Sequence, residues 1–414
     1  MNVSTESKLL SFAEARQTVE EHAAKVTPTE PELVTLLDSV GLVLAEDLRA
    51  DRDFPPFPRS TRDGYAVRAS DVQSVPAYLH CVGMIKAGAT VEDSGATVGG
   101  GEAVETMTGA RVPAGADAVV MVEYTESTDD KVTVRRTVQA GENVVPAGAE
   151  ARQGDVMVKR GTRIRQAVVA VAAAVGRPDV AVYRRPRVSV LATGDELVDV
   201  NLPPGPNEIR NSNTYSLAAQ VWEVGGDVTM LPAARDDASE LAILVRKGLD
   251  ADLLLLTGGV SAGKYDLVEE VLASLSAEFF FTGVAIQPGK PAVFGQVALH
   301  GKTTPFFGLP GNPVSTMVTF QLFVVPLVDA LSGAKPEPLP FTQAVLRAPF
   351  STKTGLTRFL PGKLDGSYDR PGVELVRWQG SGDLKAASRS NCYIVVPPDR
   401  ERFEAGESVT VLLS

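Results

Sequence analysis

The stretch ADLLLLTGGVSAGKYD, residues 251–266, constrains this chain more than any other. Within it, Asp252 to Leu256 is a short, largely apolar run without period-two alternation. That pattern reads as a strand covered on both faces, as in a parallel sheet. It ends in Thr257-Gly258-Gly259-Val260-Ser261-Ala262-Gly263, and a helical pattern starts at Asp266. Glycines let a backbone come close to a ligand and turn its amides toward it. A helix start adds partial positive charge, so strand, glycine turn and helix together favour a phosphate or another oxyanion. The same glycines also suit a plain tight turn between strand and helix.

Two more stretches repeat the arrangement. Val188 to Ala192 is an apolar run followed by Thr193-Gly194-Asp195-Glu196-Leu197. Gly308-Leu309-Pro310-Gly311-Asn312-Pro313-Val314-Ser315 opens another helix. In open α/β sheets, ligands sit at the carboxyl ends of the strands, where such corners would meet.

Size and charge narrow the classes. At 414 residues the chain calls for two to four domains. Lys and Arg total 40 against 51 acids, a net charge of −11, which disfavours nonspecific nucleic-acid or anionic-membrane binding. Cys81 and Cys392 form no CxxC pair, and His22, His80 and His300 are too scattered for a zinc site or a hydrolase triad. A bound metal should therefore be hard and held by oxygen, most simply Mg²⁺ on Asp or Glu. The start, MNVSTESK, lacks the apolar core of a signal peptide. Val314 to Leu331 is the greasiest segment, but Gln321, Pro326 and Asp329 make it read as a buried helix. A cytoplasmic location is the expectation.

Taken in order, Ser11 to Glu14 looks like a capping box, and Phe12, Ala15, Val19, Ala23 and Val26 keep a helical apolar face. A second helix is expected from Pro31, with Leu33, Leu36, Leu37 and Val40 inward. Residues 51–152 are rich in Gly and Val and read as an inserted β-rich domain. There, Val119 to Glu123 and Val132 to Arg136 flank a polar turn at Asp129-Asp130, a hairpin pattern. Residues 1–50 and 153–185 would form one elongated helical domain around that insertion, with a strand at 156–158 and a helix at 167–175. Residues 186–334 alternate strands (188–192, 227–231, 252–256, 279–281) with helices (212–224, 238–249, 266–275), which predicts a central three-layer α/β domain with a mostly parallel sheet. Residues 335–414 return to β, with strands at 342–347, 373–378 and 392–396. The fold class is thus multidomain α/β plus β.

The α/β segment gathers carboxylates at its strand ends: Asp195, Glu196, Asp236, Asp237 and Asp266. Acids beside a phosphate cradle can hold Mg²⁺ against a phosphoanhydride. Asp236 and Asp237 are equally good caps for the helix near Ala238, and one can cap while the other binds metal. Gln287-Pro288-Gly289-Lys290-Pro291 sets Lys290 in a rigid turn, where it can serve an oxyanion as a point charge.

Six motifs in a fixed order carry a family resemblance: Ser60 to Val67, Met107 to Ala110, Ala192 to Leu197, Thr257 to Gly263, Gln287 to Pro291 and Gly308 to Ser315. Together they resemble the molybdopterin molybdenumtransferase family, MoeA and the gephyrin E domain, across residues 10 to 400. The resemblance implies a homodimer with its active site between subunits, and contacts with other proteins of cofactor biosynthesis. It implies that adenylylated molybdopterin and molybdate are substrates. A Mg²⁺-dependent phosphoanhydride cleavage would leave molybdenum on the dithiolene and release AMP. Asp236 and Asp266 then look like metal-binding or hydrolytic acids. Ser261, Lys290, Arg358 and Ser381 are similar to molybdate-contacting groups, and Pro310 and Pro313 to the turn lining the pocket. Asp63, Thr108 and Glu196 match functional positions, Asp63 reaching the partner's site. Thr193, Gly194, Asp195, Thr257, Gly258, Gly259, Gly263, Gly311, Asn312 and Ser315 complete the expected binding set.

The chain departs from the family pattern at four places. Arg62 stands where Met is usual, Arg111 where Pro is common, Ala149 where an acid is frequent, and Gln287 where some members carry Lys. Two rival readings use parts of the same pattern. One is the preceding adenylyltransfer step, which uses a related α/β domain with ATP and free molybdopterin. The other is a non-enzymatic scaffold of the gephyrin kind.

Overall fold

A computed structural model of the chain describes residues 9–89, 97–259 and 267–414. At its centre lies a six-stranded sheet in the order Asp227–Met230, Arg187–Ala192, Leu253–Thr257, Lys302–Leu309, Val293–Leu299, Glu278–Phe281. The first four strands are parallel, Val293–Leu299 runs antiparallel to both its neighbours, and Glu278–Phe281 thus returns to the common direction. The leucine run explains the middle position of its strand. Leu253 and Leu255 enter one core and Leu254 and Leu256 the other, all fully buried. Each such side chain contributes roughly 1.5–3 kcal/mol of burial, so only a strand with helices on both sides can hold four in a row.

The covering helices follow the expected alternation. Helix α3, Ser212–Glu223, buries Leu217 and Val221 on the first face. Helices α4, Ala238–Gly248, and α5, Leu267–Ser274, bury Leu241, Val245, Val268 and Leu272 on the second. The apolar segment expected as a buried helix runs from Pro313 to Leu331, long and apolar enough to cross a membrane by length and composition. It packs instead into the first core, with 72% of that window buried. It is built as α6, Pro313–Thr319, a π turn at Phe320–Val324, and α7, Val325–Leu331.

The N-terminal helix α1, Phe12–Ala23, carries the expected capping box between Ser11 and Glu14. It buries Ala15, Val19 and Ala23 against the same core. The second helix does not form. Pro31–Thr35 is a strand, paired antiparallel with Asp179–Tyr183. Leu33 is 68% exposed and Leu37 80%, so neither points inward. A period of two wins over the helical spacing: Val34 and Leu36 are the residues that pack, and the Thr35 hydroxyl bonds the Asp38 carboxylate in the turn that follows.

Leu48–Arg49 pairs with Val156–Val158, and the Pro31 strand pairs with Asp179–Tyr183, so the chain leaves after one pairing and returns to complete it. Among the described residues, this arm holds short strand pairs and one helix, α2, Gln166–Ala174, which ends at Gly176 with φ +74°. It is less helical than expected because α1 belongs to the central core. Between the two passes lies a six-stranded sheet in the order Ala118–Met121, Gly64–Val67, Glu102–Thr106, Ala77–Ile85, Lys131–Val134, Thr125–Thr128. The turn at Asp129-Asp130 is a hairpin turn, but its partners are Thr125–Thr128 and Lys131–Val134. Ala118–Met121 pairs with Gly64–Val67 at the opposite edge, because a 3₁₀ turn at Val122–Tyr124 separates it from the hairpin.

Beyond residue 335, five strands close on themselves. Thr357–Leu364 pairs with both Gly372–Leu375 and Cys392–Val396, and Phe341–Leu346 and Ser408–Leu413 complete the ring. Ile286–Gln287 joins its rim beside Thr357–Arg358, which ties the barrel to the α/β layer.

Candidate active site

The three glycine corners meet at one end of the central sheet. The Thr193 amide donates to the Thr257 carbonyl at 3.0 Å, and the Thr257 hydroxyl donates to the Pro310 carbonyl at 3.2 Å. Gly258 has φ +87°, and a Cβ there would lie 2.3 Å from the Thr193 carbonyl oxygen. A Cβ on Gly311 would stand 3.4 Å from the Gly258 Cα. At Gly258 backbone packs on backbone, which only a residue without a side chain permits, whereas Gly311 makes ordinary van der Waals contact.

These corners line a cleft of about 710 Å³, a size suited to a small-molecule ligand. Thr193, Gly194, Glu196, Asp236, Thr257, Gly258, Gly259, Pro310, Gly311, Asn312 and Pro313 face it. Two helices also begin at the cleft. Asn211 caps α3 by accepting from the Thr214 amide at 3.2 Å, and Pro313 occupies the first turn of α6. Their aligned dipoles make this end of the sheet favourable for anions. Arg210 adds a cation, and Glu196 and Asp236 add carboxylates.

The paired aspartates divide their work. Asp237 caps α4, its Oδ1 accepting from the Glu240 amide at 2.9 Å. Asp236 faces the cleft and accepts from the Thr193 hydroxyl at 3.3 Å. Asp195 lies behind, taking the Asp236 amide at 3.1 Å, and so orients the acid that faces inward. Three family models fit consecutive parts of the chain: the MoeA N-terminal region (domain I and II) over residues 10–176, a probable molybdopterin binding domain over 189–330, and the MoeA C-terminal region (domain IV) over 343–414.

The chain belongs to the molybdopterin molybdenumtransferase (MoeA) family. The molybdopterin molybdenumtransferase of Bacillus subtilis (strain 168) is 34% identical over 394 residues, spanning 93% of this chain and 90% of the relative. That of Staphylococcus aureus (strain COL) is 35% identical over 386 residues, spanning 92% and 90%. Among solved structures, a molybdopterin biosynthesis moeA protein from Pyrococcus horikoshii OT3 superposes with a TM-score of 0.80 at 29% identity, covering 98% of this chain and 100% of that one.

In this MoeA-family chain the other expected residues do not all join the cleft lining. Ser261, Gly263 and Asp266 lie outside the described residues. Ser315 is buried in α6 and does not line the cleft. Ser381 holds the wall, its carbonyl accepting from the Val314 amide at 2.9 Å, while the neighbouring Gly382 and Leu384 face the cleft. Lys290 is exposed and outside the lining, although Pro291 belongs to it. Arg358, only 7% exposed, lines a second depression of about 550 Å³ with Gln287, Lys353 and Trp378. Its Nε donates to the Lys353 carbonyl at 2.8 Å, and burial lowers its pKa from the usual arginine range.

Asp63 and Thr108 pair with each other in the inserted sheet domain and do not line the cleft of their own chain. The Thr108 amide and hydroxyl both donate to Asp63 Oδ1, at 2.6 and 2.8 Å, and hold its pKa below the usual carboxylate value. Among the described residues, no three His, Cys, Asp or Glu side chains gather as a metal cluster. Sequence reasoning missed Arg210, Asn211, Ser212 and Asn213, which all line the cleft. Their signal was an Asn-Ser-Asn run opening an amphipathic helix, a polar cluster at a strand-layer end where a ligand would sit.

Proposed function

We propose that the cleft binds adenylylated molybdopterin and that the chain transfers molybdenum from molybdate onto it, in molybdenum cofactor biosynthesis, with release of AMP. One observation carries the reading: three glycine corners and two helix starts converge on a cleft whose rim bears the carboxylates of Glu196 and Asp236. The amides and helix ends suit the phosphates. The hard oxygen donors of Asp236 and Glu196 fit Mg²⁺, with Asp266 the third acid by family likeness. Bound there, Mg²⁺ would neutralise the phosphoanhydride oxygens.

This chain's own groups do the rest. Asp195 and Thr193 orient Asp236, and the corners exclude side chains from the phosphate path. In this reading molybdate would bind at the second depression, where Arg358 and Lys353 supply positive charge and Gln287 leads into the Lys290 turn. Arg358 is the register partner of Gln287, and this pairing joins the barrel to the turn that carries Lys290. Asp63 and Thr108 would reach the cleft of a second copy in a homodimer.

The test supplies adenylylated molybdopterin, molybdate and Mg²⁺ to the purified full chain and follows AMP. AMP release that requires molybdate supports the reading. Consumption of ATP with free molybdopterin, and no AMP release from the adenylylated substrate, would replace it with the adenylyltransfer step.

A further inference from the structure

Helix α3 sends one side chain between two of the glycine corners. Asn213 Nδ2 donates to the Thr257 hydroxyl oxygen at 3.1 Å and to the Gly311 carbonyl oxygen at 2.7 Å. A carbonyl only accepts, so the amide nitrogen must face Gly311, and this sets the orientation of the side chain. The price is that Asn213 Oδ1 is buried without a hydrogen-bond partner. An unpaired buried oxygen is costly, and it persists where the other bonds over-determine the geometry.

The network continues past Thr257. The Thr257 hydroxyl donates to the Pro310 carbonyl at 3.2 Å, and the Thr316 hydroxyl bonds the same carbonyl. Thr316 also reaches the Asn312 carbonyl at 3.1 Å. A continuous polar path therefore joins the start of α3, the end of the Leu253–Thr257 strand and the turn that opens α6. The helix start does not need Asn213 for its own capping, because Asn211 serves the Thr214 amide. Asn213 is thus free to act on the corners.

We infer that Asn213 is a positioning residue that holds the Thr257–Gly259 corner against the Pro310–Pro313 turn and so sets the width of the cleft floor. Its part in substrate binding rests on the reading of that floor as a phosphate site. It acts through Thr257 and the Gly311 backbone rather than through contact with the reacting atoms.

Two measurements on the full chain test this. In Asn213→Ala, amide hydrogen exchange over 257–259 and 309–314 should quicken by about tenfold, with exchange over the neighbouring strand at 187–192 unchanged. In steady-state AMP release, KM for adenylylated molybdopterin should rise by about tenfold, with kcat changing less than about threefold. Thr257→Val combined with Asn213→Ala should lose no more than the worse single variant, since both cut one path. If Asn213→Ala does not fold, the isosteric Asn213→Asp, which sets an oxygen against the Gly311 carbonyl, takes its place in each arm. Unchanged exchange at both corners overturns the inference, as does faster exchange with KM unmoved. If the wild-type chain releases no AMP, the functional reading fails, and the exchange result alone decides whether Asn213 holds the corners together.

Discussion

The guanidinium of Arg16 donates to the carbonyl oxygen of Leu322, 2.7 Å away and 306 residues along the chain. The reason is local. Pro326 has no N–H, so the carbonyl four residues before it lacks its helical donor. A π turn at Phe320–Val324 accompanies the gap, and Arg16 of α1 fills it. Glu20 steadies the same guanidinium at 2.6 Å. The first helix is thereby docked on the long buried helix by a polar bond at the edge of the apolar core.

Arg16→Met should destabilise the chain by about 1–3 kcal/mol, the cost of leaving the Leu322 carbonyl unpaired. Urea unfolding measures it. A change under about 0.5 kcal/mol would mean that water replaces the guanidinium.

Gly258→Ala should abolish substrate turnover. The new Cβ would sit 2.3 Å from the Thr193 carbonyl, at φ +87°, so the first and second corners must move apart. A loss of at least about 100-fold in kcat/KM is expected, since displacements of about 1 Å cost that much. The AMP-release assay reads it, and wild-type turnover in the variant would exclude the corner as the binding floor.

Asp236→Asn and Asp237→Ala should separate. The first removes the carboxylate that faces the cleft and should cut AMP release by roughly 100-fold or more, in line with the loss of a charged transition-state contact. The second removes the α4 cap, costing about 1 kcal/mol of stability with turnover kept. Parallel turnover and thermal-melt measurements distinguish them, and equal effects on turnover would refute the division of labour.

In the C-terminal barrel, bonds from the Gly372 amide, the Arg347 side chain and the Ser367 amide lower the Asp365 pKa to about 2. A depressed carboxylate pKa means that the folded state binds fewer protons than the unfolded chain. Its contribution is therefore complete above the ordinary Asp value near ~4 and fades as pH falls toward about 2. Asp365→Asn should flatten the dependence of barrel unfolding on pH across that window. A slope equal to wild type would show that another carboxylate is responsible.

Most of the central layer was legible in the residue order. The apolar runs at 188–192 and 252–256 became buried strands within a residue of their expected ends, because burial on both faces leaves no alternation to misread. In the arm, Leu33, Leu36, Leu37 and Val40 fit a helical spacing as well as a strand and turn. Local spacing carries no information about a partner strand some 145 residues away at 179–183.

Three glycine-bearing corners, each following a strand or opening a helix, are written in the residue order, since those traits depend on backbone freedom and apolar run length. That Asp236 faces the cleft while Asp237 caps α4, and that Asn213 joins Thr257 to Gly311, follows from the folded sheet alone. Adjacent identical residues differ only in the direction their backbone imposes. A bond between side chains 44 residues apart exists only once the sheet has brought its strand ends together.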